Sequence, residues 1–238
     1  MNRPAGIVLA GVSKHYATPA GTVRAIDGVW LDVAPGSSVA ITGPSGCGKS
    51  TLLGLVAGLE TAGAGSVTVG GEEISRLPER ARAALRRREI GLVFQADNLQ
   101  PFLTAVENVA LALALRGDGR HERCLDLLED LGLGDEAGKL PDQLSGGQRQ
   151  RVAVARALVN EPGVILADEP TGSLDAGNSA AIVGLLRNAQ RATGATLVVV
   201  THDPDVARRL DRTVSLLDGK VAGDSAPSAP RECGGVRA

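Results

Sequence analysis

The feature that most constrains this chain is a glycine-rich loop between a short apolar run and a helical pattern. The apolar run covers Val39–Thr42, and the helical pattern begins at Leu52. The sequence between them fits G-x-x-x-x-G-K-[ST] in the strand–loop–helix setting where that pattern has physical meaning. Its members are Gly43, Pro44, Ser45, Gly46, Cys47, Gly48, Lys49, Ser50 and Thr51.

Each residue type in this loop suits the binding of phosphate groups. Glycines allow backbone N–H groups to turn inward without a β-carbon clash, so that they ring the β- and γ-phosphates of a nucleotide. The helix that follows directs its positive end at the same anion. We expect Lys49 to reach the terminal phosphates and the Ser50 hydroxyl to bind Mg²⁺.

A second apolar run, Val164–Ala167, ends in two adjacent carboxylates, Asp168 and Glu169. A nucleotide hydrolase needs a second carboxylate for its metal and a group that orients water. We therefore expect Asp168 to hold Mg²⁺, directly or through its waters, and Glu169 to polarise the attacking water. In isolation the pair could be a solvated acidic turn, but its presence beside a phosphate loop favours hydrolysis.

Composition argues against a nucleic-acid-binding function. The formal net charge is −2, so no basic surface for nucleic acid is expected, and the aromatic content of 2% argues against base-stacking platforms. A length of 238 residues is enough for one domain with a full core. The arginine run 86–88 is interpreted as solvated helix surface.

The sequence predicts a cytosolic protein that reaches a membrane only through a partner. The N-terminal segment has no apolar signal-peptide region, and no stretch approaches the roughly 20 apolar residues that span a bilayer. Cys47, Cys124 and Cys233 are isolated and odd in number, so we interpret them as free thiols in a reducing compartment.

Strand and helix patterns alternate after the phosphate loop, which predicts an α/β sheet with helices on its faces and its ligand at the carboxyl ends of the strands. Residues 104–139 show helical spacing, broken near Gly117 and Gly132, and are interpreted as an inserted helical lobe. The Ser/Ala/Pro/Gly-rich tail 223–238 is predicted to be disordered. The remaining expected strands are 7–9, 23–33, 66–69, 90–94, 196–200 and a pair within 213–221, and the expected helices are 78–88, 146–160 and 178–192.

The segment Leu144–Leu158 reads LSGGQRQRVAVARAL and resembles the signature motif of the ATP-binding cassette (ABC) ATPases. It lies between the phosphate loop and the paired carboxylates, in the order that this family requires. The resemblance extends from about Ile7 to Val221. It implies a P-loop NTPase of ABC type, with a RecA-like core sheet, an N-terminal antiparallel β-subdomain and an inserted α-helical subdomain. It further implies a single domain over 1–222, with the helical subdomain at about 98–160.

The resemblance also implies further site residues. Gln95 matches the glutamine that senses Mg²⁺ and links to the helical lobe, His202 the histidine that contacts the γ-phosphate, and Tyr16 the ring placed under adenine. The expected catalytic residues are Lys49, Gln95, Glu169 and His202. The expected metal ligands are Ser50, Gln95 and Asp168. Additional nucleotide-binding residues implied by the resemblance are Ser145, Gly146, Gly147, Gln148 and Asp175.

In proteins that this sequence resembles, the signature loop caps the γ-phosphate held by the opposite subunit. The expected assembly is therefore a symmetric dimer of this chain that sandwiches two ATP molecules, each with Mg²⁺. An integral membrane permease is the expected partner, and it would hold the chain on the inner face of the cell membrane. No nucleic-acid partner is expected.

The segment Phe94–Val109 resembles the ATPases of lipoprotein release, macrolide-type export and cell-division signalling, which act on permeases by transmitting force. Residues 168–175 fit the same group, although Asn is commoner there than Ser173. Leu99–Leu103 is expected to help form the groove for a permease helix, with ordinary packing between lobes as the alternative. Other interpretations left open are an importer ATPase, a soluble ABC ATPase acting on DNA or ribosomes, and a nucleotide-binding regulator with little turnover.

Overall fold

The chain folds into two β-sheets with helices around them, in a computed structural model that describes residues 4–19, 21–117, 122–172 and 174–225. In chain order the elements are β1 (Ile7–Thr18), β2 (Gly21–Val33), β3 (Ser38–Thr42), α1 (Lys49–Val56), β4 (Ala64–Val69), β5 (Glu72–Glu73), α2 (Glu79–Glu89), β6 (Ile90–Val93), α3 (Ala105–Arg116), α4 (Glu122–Asp130), α5 (Gly146–Leu158), β7 (Val164–Asp168), α6 (Ala176–Thr193), β8 (Thr196–Val200), α7 (Pro204–Ala207), β9 (Arg212–Leu217) and β10 (Lys220–Asp224).

The central sheet has the order β10-β9-β3-β8-β7-β6, and all its neighbouring strands are parallel except the β9–β10 pair. Its inner strands β3, β7 and β8 are almost continuously buried, as expected for strands covered on both faces. Ile41 and Asp168 are both in register with Val200. The carboxyl ends of β3, β7 and β8 therefore lie side by side at one edge of the sheet.

The two faces of the central sheet pack against different partners. On one face, α1 and the antiparallel sheet β2-β1-β4-β5 enclose an apolar cluster that includes Ile7, Ile41, Leu55 and Leu166. On the other face, α3, α4, α5 and α6 enclose a second cluster, to which Ile165 contributes from the adjacent position on β7. Alternation of side chains along each strand thus divides the core between a β layer and a helical layer.

The observed boundaries differ from the expected ones mostly by one to three residues. The largest difference is in β1, where the expected strand 7–9 continues to Thr18 in pairing with β2. At the C-terminus, β10 extends to Asp224, and Ser225 N–H still donates to Thr213 O at 2.9 Å. Arg212 holds this end through Asp224, with Nη2 2.6 Å from Oδ2, so the ordered chain runs past the expected start of the tail at 223. The rest of the tail, together with Cys233, Ser173 and residues 118–119, lies outside the described residues.

The helical segment begins and ends with recognisable caps. Thr104 caps α3 in a capping box with Glu107, and Gly117 ends the helix in the left-handed conformation with φ 83°. Gly132 also has a positive φ of 68°, at the break after α4. Both glycine breaks expected in the lobe are therefore turns of the observed chain.

A charged pair ties α6 to the central sheet. Arg187 Nη2 lies 2.8 Å from Asp211 Oδ1, and Ser38 Oγ donates to Asp211 Oδ2 at 2.6 Å. The Arg187 hydrogen bonds, followed by the bond from Ser38, lower the pKa of Asp211 to about 2. Because a lowered carboxyl pKa stabilises the fold above the unfolded value of about 4, this contribution should be lost as pH falls from about 4 towards 2.

We predict that Asp211→Asn lowers the thermal unfolding midpoint by about 2–4 °C at pH 7, because it removes a charge-assisted bond. The difference from wild type should shrink as the pH falls below about 4. Thermal unfolding followed by circular dichroism from pH 7 to 2.5 measures this. The control is Asp205→Asn in the Arg208 pair, where both side chains are more than 70% exposed. An Asp211→Asn deficit that stays constant over the whole pH range would contradict the assignment.

Candidate functional site

The phosphate loop runs from the end of β3 into α1, and two of its glycines are required by close backbone approach. A β-carbon at Gly43 would lie 2.2 Å from Leu216 O, and one at Gly48 would lie 2.1 Å from Ala25 O. Both glycines have positive φ, 148° and 104°, which L side chains rarely adopt. The backbones of β9 and β2 therefore lie directly against the loop at these two glycines.

Lys49 is the first residue of α1 and is only 6% exposed. Its Nζ donates to the carbonyls of Gly43 and Pro44, each at 2.9 Å, so the ammonium is enclosed by its own loop. The N-cap of α1 is Gly48, which makes no side-chain cap bond. The first N–H groups of the helix are thus left for an external anion beside a buried cation.

Ser50 and Asp168 lie together at the edge of the sheet. Ser50 Oγ donates to Asp168 Oδ1 at 3.2 Å, which joins the first turn of α1 to the end of β7. Burial raises the pKa of Asp168, the adjacent Glu169 charge adds to that effect, and Ser50 and Lys49 act against it. A carboxylate in this position gains from a nearby cation, and a hydroxyl and a carboxylate are oxygen ligands that Mg²⁺ accepts.

The next residue, Glu169, contacts a histidine that follows the adjacent strand, β8, by two residues. His202 Nδ1 lies 2.7 Å from Glu169 Oε2, and Glu169 N–H donates to Val200 O at 2.9 Å. Glu169 has φ 45°, a left-handed conformation that is uncommon for a residue with a side chain and is found preferentially at functional sites. The ends of β7 and β8 therefore combine a carboxylate and an imidazole, and the histidine is 65% exposed to incoming ligand.

Gln95 follows β6 by two residues and lies against the turn beyond Glu169. A β-carbon at Gly172 would be 2.9 Å from Gln95 Nε2, so the Gln95 side chain lies directly against this glycine. Strand β6 is next to β7 in the sheet, and this order brings Gln95 towards the paired carboxylates.

The segment after β6 is held by α5, the helix of the signature motif. Gln150 is buried and donates to Phe94 O at 3.0 Å. Arg156 donates to the carbonyls of Asp97 and Asn98 at 2.8 and 2.7 Å, and burial lowers the pKa of its guanidinium. One helix therefore carries the signature loop at its start and fixes the backbone around Gln95 along its length.

The signature loop begins α5 through a capping box. Ser145 Oγ accepts a bond from Gln148 N–H at 3.2 Å, and Gln148 Oε1 accepts one from Ser145 N–H at 2.8 Å. Ser145 and Gly146 are exposed, whereas Gly147 is buried, and a β-carbon there would lie 2.7 Å from Asn178 Oδ1. The Gln148 side chain thus supports the loop instead of pointing freely at a ligand.

Asp175 begins α6 beside the signature loop. Its Oδ1 accepts from Asn178 N–H at 2.8 Å and its Oδ2 from Asn178 Nδ2 at 2.7 Å. These bonds lower the pKa of Asp175. Within the described ranges, no hydrogen bond or ion pair joins Asp175, Ser145 or the signature glycines to the phosphate loop. One copy of the chain therefore presents two separate halves of the expected site.

Tyr16 lies on β1 opposite Val23 of β2, two residues before Ala25, whose carbonyl touches the phosphate loop. Its ring is partly exposed and has the Lys14 ammonium 5.1 Å from its centroid. The hairpin of the antiparallel sheet therefore places this ring on the side of the loop where β2 packs.

The structure brings Lys49, Ser50, Asp168, Glu169 and His202 to one sheet edge, with Gln95 against the same turn. Sequence reasoning did not find the residues that hold this arrangement, among them Asn178, Gln150 and Arg156. Asn178 stands three residues after Asp175, a spacing typical of a helix cap that could have identified it. Arg149 was also missed, and its Nε lies 2.9 Å from Asp97 Oδ2.

Comparison with known proteins places this geometry in a family. Residues 26–172 match the ABC transporter family. The lipoprotein-releasing system ATP-binding protein LolD 2 of Caulobacter vibrioides is 45% identical over 218 residues, covering 90% of this chain and 96% of that protein. The macrolide export ATP-binding/permease protein MacB 1/2 of Paracoccus denitrificans is 45% identical over 227 residues, and the chain spans 34% of its length.

Solved structures show the same fold. A dimeric post-hydrolysis state of the ATP-binding cassette MJ0796 bound to ADP and Pi matches with a TM-score of 0.85 and 41% identity, covering 92% of this chain and 97% of that one. The expected ABC-type α/β fold is confirmed by this likeness. Among the described residues, none of the helices is long and apolar enough to cross a bilayer. The chain therefore belongs to the ABC transporter family, and it is an ATP-binding, ATP-hydrolysing cassette of that family.

Proposed function

We propose that this chain is the ATPase subunit of an export complex of the lipoprotein-release or macrolide-export type, in which ATP-driven dimerisation moves a membrane permease. The observation that carries the ATPase part of the proposal is the Glu169–His202 contact of 2.7 Å, at the edge of the sheet that holds the phosphate loop. A regulator without turnover would not need this pair. The export part is supported by the relatives, which are ATP-binding proteins of a lipoprotein-releasing system and of macrolide export.

In this proposal the phosphate loop binds the ATP phosphates. Its residues from Gly43 to Thr51 supply backbone N–H groups, and Lys49 exchanges its bonds to the loop carbonyls for bonds to the terminal phosphates. Tyr16 provides a ring against which the base stacks. The same loop therefore holds the lysine before binding and releases it to the ligand.

Ser50, Asp168 and Gln95 form the proposed magnesium site. The Ser50–Asp168 contact of 3.2 Å brings two oxygen donors together, and a cation would relieve the cost of burying the Asp168 charge. The Gln95 side chain, which lies against the turn at Gly172, would add an amide oxygen. When bound, Mg²⁺ neutralises charge that develops on the phosphates.

The positions of the side chains support two catalytic roles. Glu169 orients the attacking water and accepts its proton, which needs the carboxylate within hydrogen-bond reach of the water. His202 holds Glu169 in place and contacts the γ-phosphate with its exposed ring. The unusual backbone conformation of Glu169 ends the extended course of β7 at this residue.

We further propose that two copies of the chain complete each other's sites. Ser145 and Gly146 are exposed at a helix start that, with Gly147, would cap the γ-phosphate of the opposite subunit, with Gln148 supporting the loop and Asp175 crossing the interface. MJ0796, a bacterial ABC transporter cassette at 42% identity, is dimeric in its solved structure. The arrangement is isologous, so each chain gives and receives one cap.

The permease is proposed to dock beside Gln95, on the segment 99–103. Phe102 in this segment is 73% exposed, so its apolar ring is available to a partner. This contact would place the chain on the cytoplasmic face of the membrane. The proposed domain organisation is one cassette over 1–222, with a helical subdomain at about 98–160 that carries the signature motif.

The test uses Glu169→Gln, loaded with Mg-ATP, as bait in detergent-solubilised membranes of the native cell, with bound proteins identified by mass spectrometry. A second bait carries Phe102→Asp as well, and a matched control carries Leu115→Asp. Leu115 is 61% exposed and lies about 15 Å along α3 from the first residue of that helix. We expect recovery of a permease by the first and control baits, and at least a tenfold loss with Phe102→Asp.

Each outcome separates one class of function. A permease with few spans and a large outer domain supports the export proposal, whereas a permease of many spans recovered with a solute-binding protein indicates an importer. Recovery of only ribosomal or DNA-associated proteins would reject the membrane partner and leave the ATPase chemistry intact. Equal recovery by the Phe102→Asp bait would reject the docking segment.

A further inference from the structure

We propose that Lys14 is a positioning residue for the nucleotide base, because it fixes the Tyr16 ring relative to the helix that carries the phosphate loop. The inference rests on the proposed role of Tyr16 as the surface for the base. It adds a residue that does not touch ATP itself and acts through the ring.

The first observation is the position of the ammonium over the ring. Lys14 and Tyr16 are two residues apart on β1, so their side chains project from the same side of the strand. Lys14 Nζ lies 5.1 Å from the ring centroid, within the range of a cation–π contact. One ring face is therefore occupied by a charge, which leaves the opposite face for a planar base.

The second observation is that Lys14 is itself held in place. Its Nζ lies 2.9 Å from Glu60 Oε2 and donates to Thr61 O at 3.1 Å, and its side chain is 18% exposed. Glu60 N–H in turn donates to Gly54 O of α1 at 3.1 Å. A chain of contacts thus runs from the Tyr16 ring through Lys14 to the helix that begins with Lys49.

The third observation is that the same hairpin meets the phosphate loop. Lys14 is paired with Ile26 of β2, and an added β-carbon at Gly48 would lie 3.0 Å from Ile26 Cδ1. Two features therefore fix the distance between the Tyr16 ring and the phosphate loop. The first is the backbone pairing of β1 and β2, and the second is the Lys14 side chain with its contacts.

This arrangement predicts a selective effect on base binding. Without the ammonium, the ring loses the charge on one face and its connection to α1, but the phosphate loop keeps its own contacts. Affinity for ATP should then fall, while affinity for a triphosphate without a base should not. A general loss of structure would weaken the binding of both ligands.

The experiment compares dissociation constants for Mg-ATP and for the magnesium complex of inorganic tripolyphosphate by isothermal titration calorimetry. The proteins are wild type, Lys14→Met, Lys14→Arg and Tyr16→Ala. We expect Lys14→Met to weaken ATP binding about three- to tenfold and tripolyphosphate binding less than about twofold. Lys14→Arg keeps the cation and should restore ATP binding to within about twofold of wild type.

The remaining outcomes distinguish the inference from the proposal beneath it. If Tyr16→Ala weakens ATP selectively and Lys14→Met does not, Lys14 has no positioning role and the inference is overturned. If Lys14→Met weakens both ligands equally, Lys14 only supports the loop, which also overturns it. If Tyr16→Ala leaves ATP binding unchanged, the base surface itself is rejected and the inference falls with it.

Discussion

Replacing Glu169 with Gln should abolish turnover while leaving ATP bound. The substitution keeps the size of the side chain and its ability to bond to His202, but it removes the carboxylate that accepts a proton from water. Loss of a general base typically costs 10²–10⁴-fold in rate, so we expect hydrolysis to fall by about that factor. The dissociation constant for ATP should change by less than about threefold.

The trapped state should be visible as a dimer. If hydrolysis is what separates two subunits, Glu169→Gln with Mg-ATP should elute as a dimer in size-exclusion chromatography, and the wild-type chain should not remain dimeric as ATP is consumed. Glu161→Gln is a matched control, because Glu161 is another glutamate with positive φ, 47°, and lies before β7 instead of after it. Hydrolysis by Glu169→Gln within about tenfold of the wild-type rate would remove Glu169 from the role of base.

Replacing Lys49 with Ala should weaken ATP binding itself. Charge-assisted bonds contribute roughly 1.5–3 kcal/mol each, so loss of the ammonium is expected to raise the dissociation constant for ATP about 10- to 100-fold. Because Lys49 also bonds to the carbonyls of Gly43 and Pro44, the free loop will lose two contacts. Calorimetric titration with Mg-ATP, together with thermal unfolding of the free protein, separates these two effects.

Lys220→Ala is the control for the change in net charge. Lys220 is 66% exposed on β10, next to Gly219, whose N–H donates to Cys47 O in the phosphate loop. Lys220→Ala therefore removes a positive charge that lies near the phosphate loop but is not enclosed by the loop. ATP affinity in Lys49→Ala equal to that of Lys220→Ala would contradict the assignment of the phosphate loop, whatever the effect on stability.

Much of the fold could be predicted from local patterns. The buried runs of β3, β7 and β8 are continuous apolar stretches, and such stretches indicate strands covered on both faces. The turn at Gly117 could be predicted because few other residues adopt its left-handed conformation without strain. The extension of β10 to Asp224 could not, because it depends on Arg212 from the neighbouring strand.

The candidate site, like the fold, could be predicted from the sequence only in part. The motif residues Lys49, Asp168, Glu169 and His202 each lie at the end of a recognisable element or just beyond it. Their roles remain proposals that the experiments above test. The contacts among them were not accessible from the sequence, since Ser50 and Asp168 are 118 positions apart and meet only across the sheet. The same holds for Arg156, which binds the backbone of Asn98 from a helix 58 residues away.

The amino-acid sequence by itself determined the chemistry available to this protein: a glycine loop with its lysine, two carboxylates at the end of an apolar run, and a signature that begins a helix. Only the tertiary structure decided which of these groups meet. Parallel strand order brings the ends of β3, β8 and β7 to one edge, whereas the signature loop lies with α6, apart from the phosphate loop. The reason is that residue types follow from local composition, but distances between remote side chains are set by sheet order and by packing of the core.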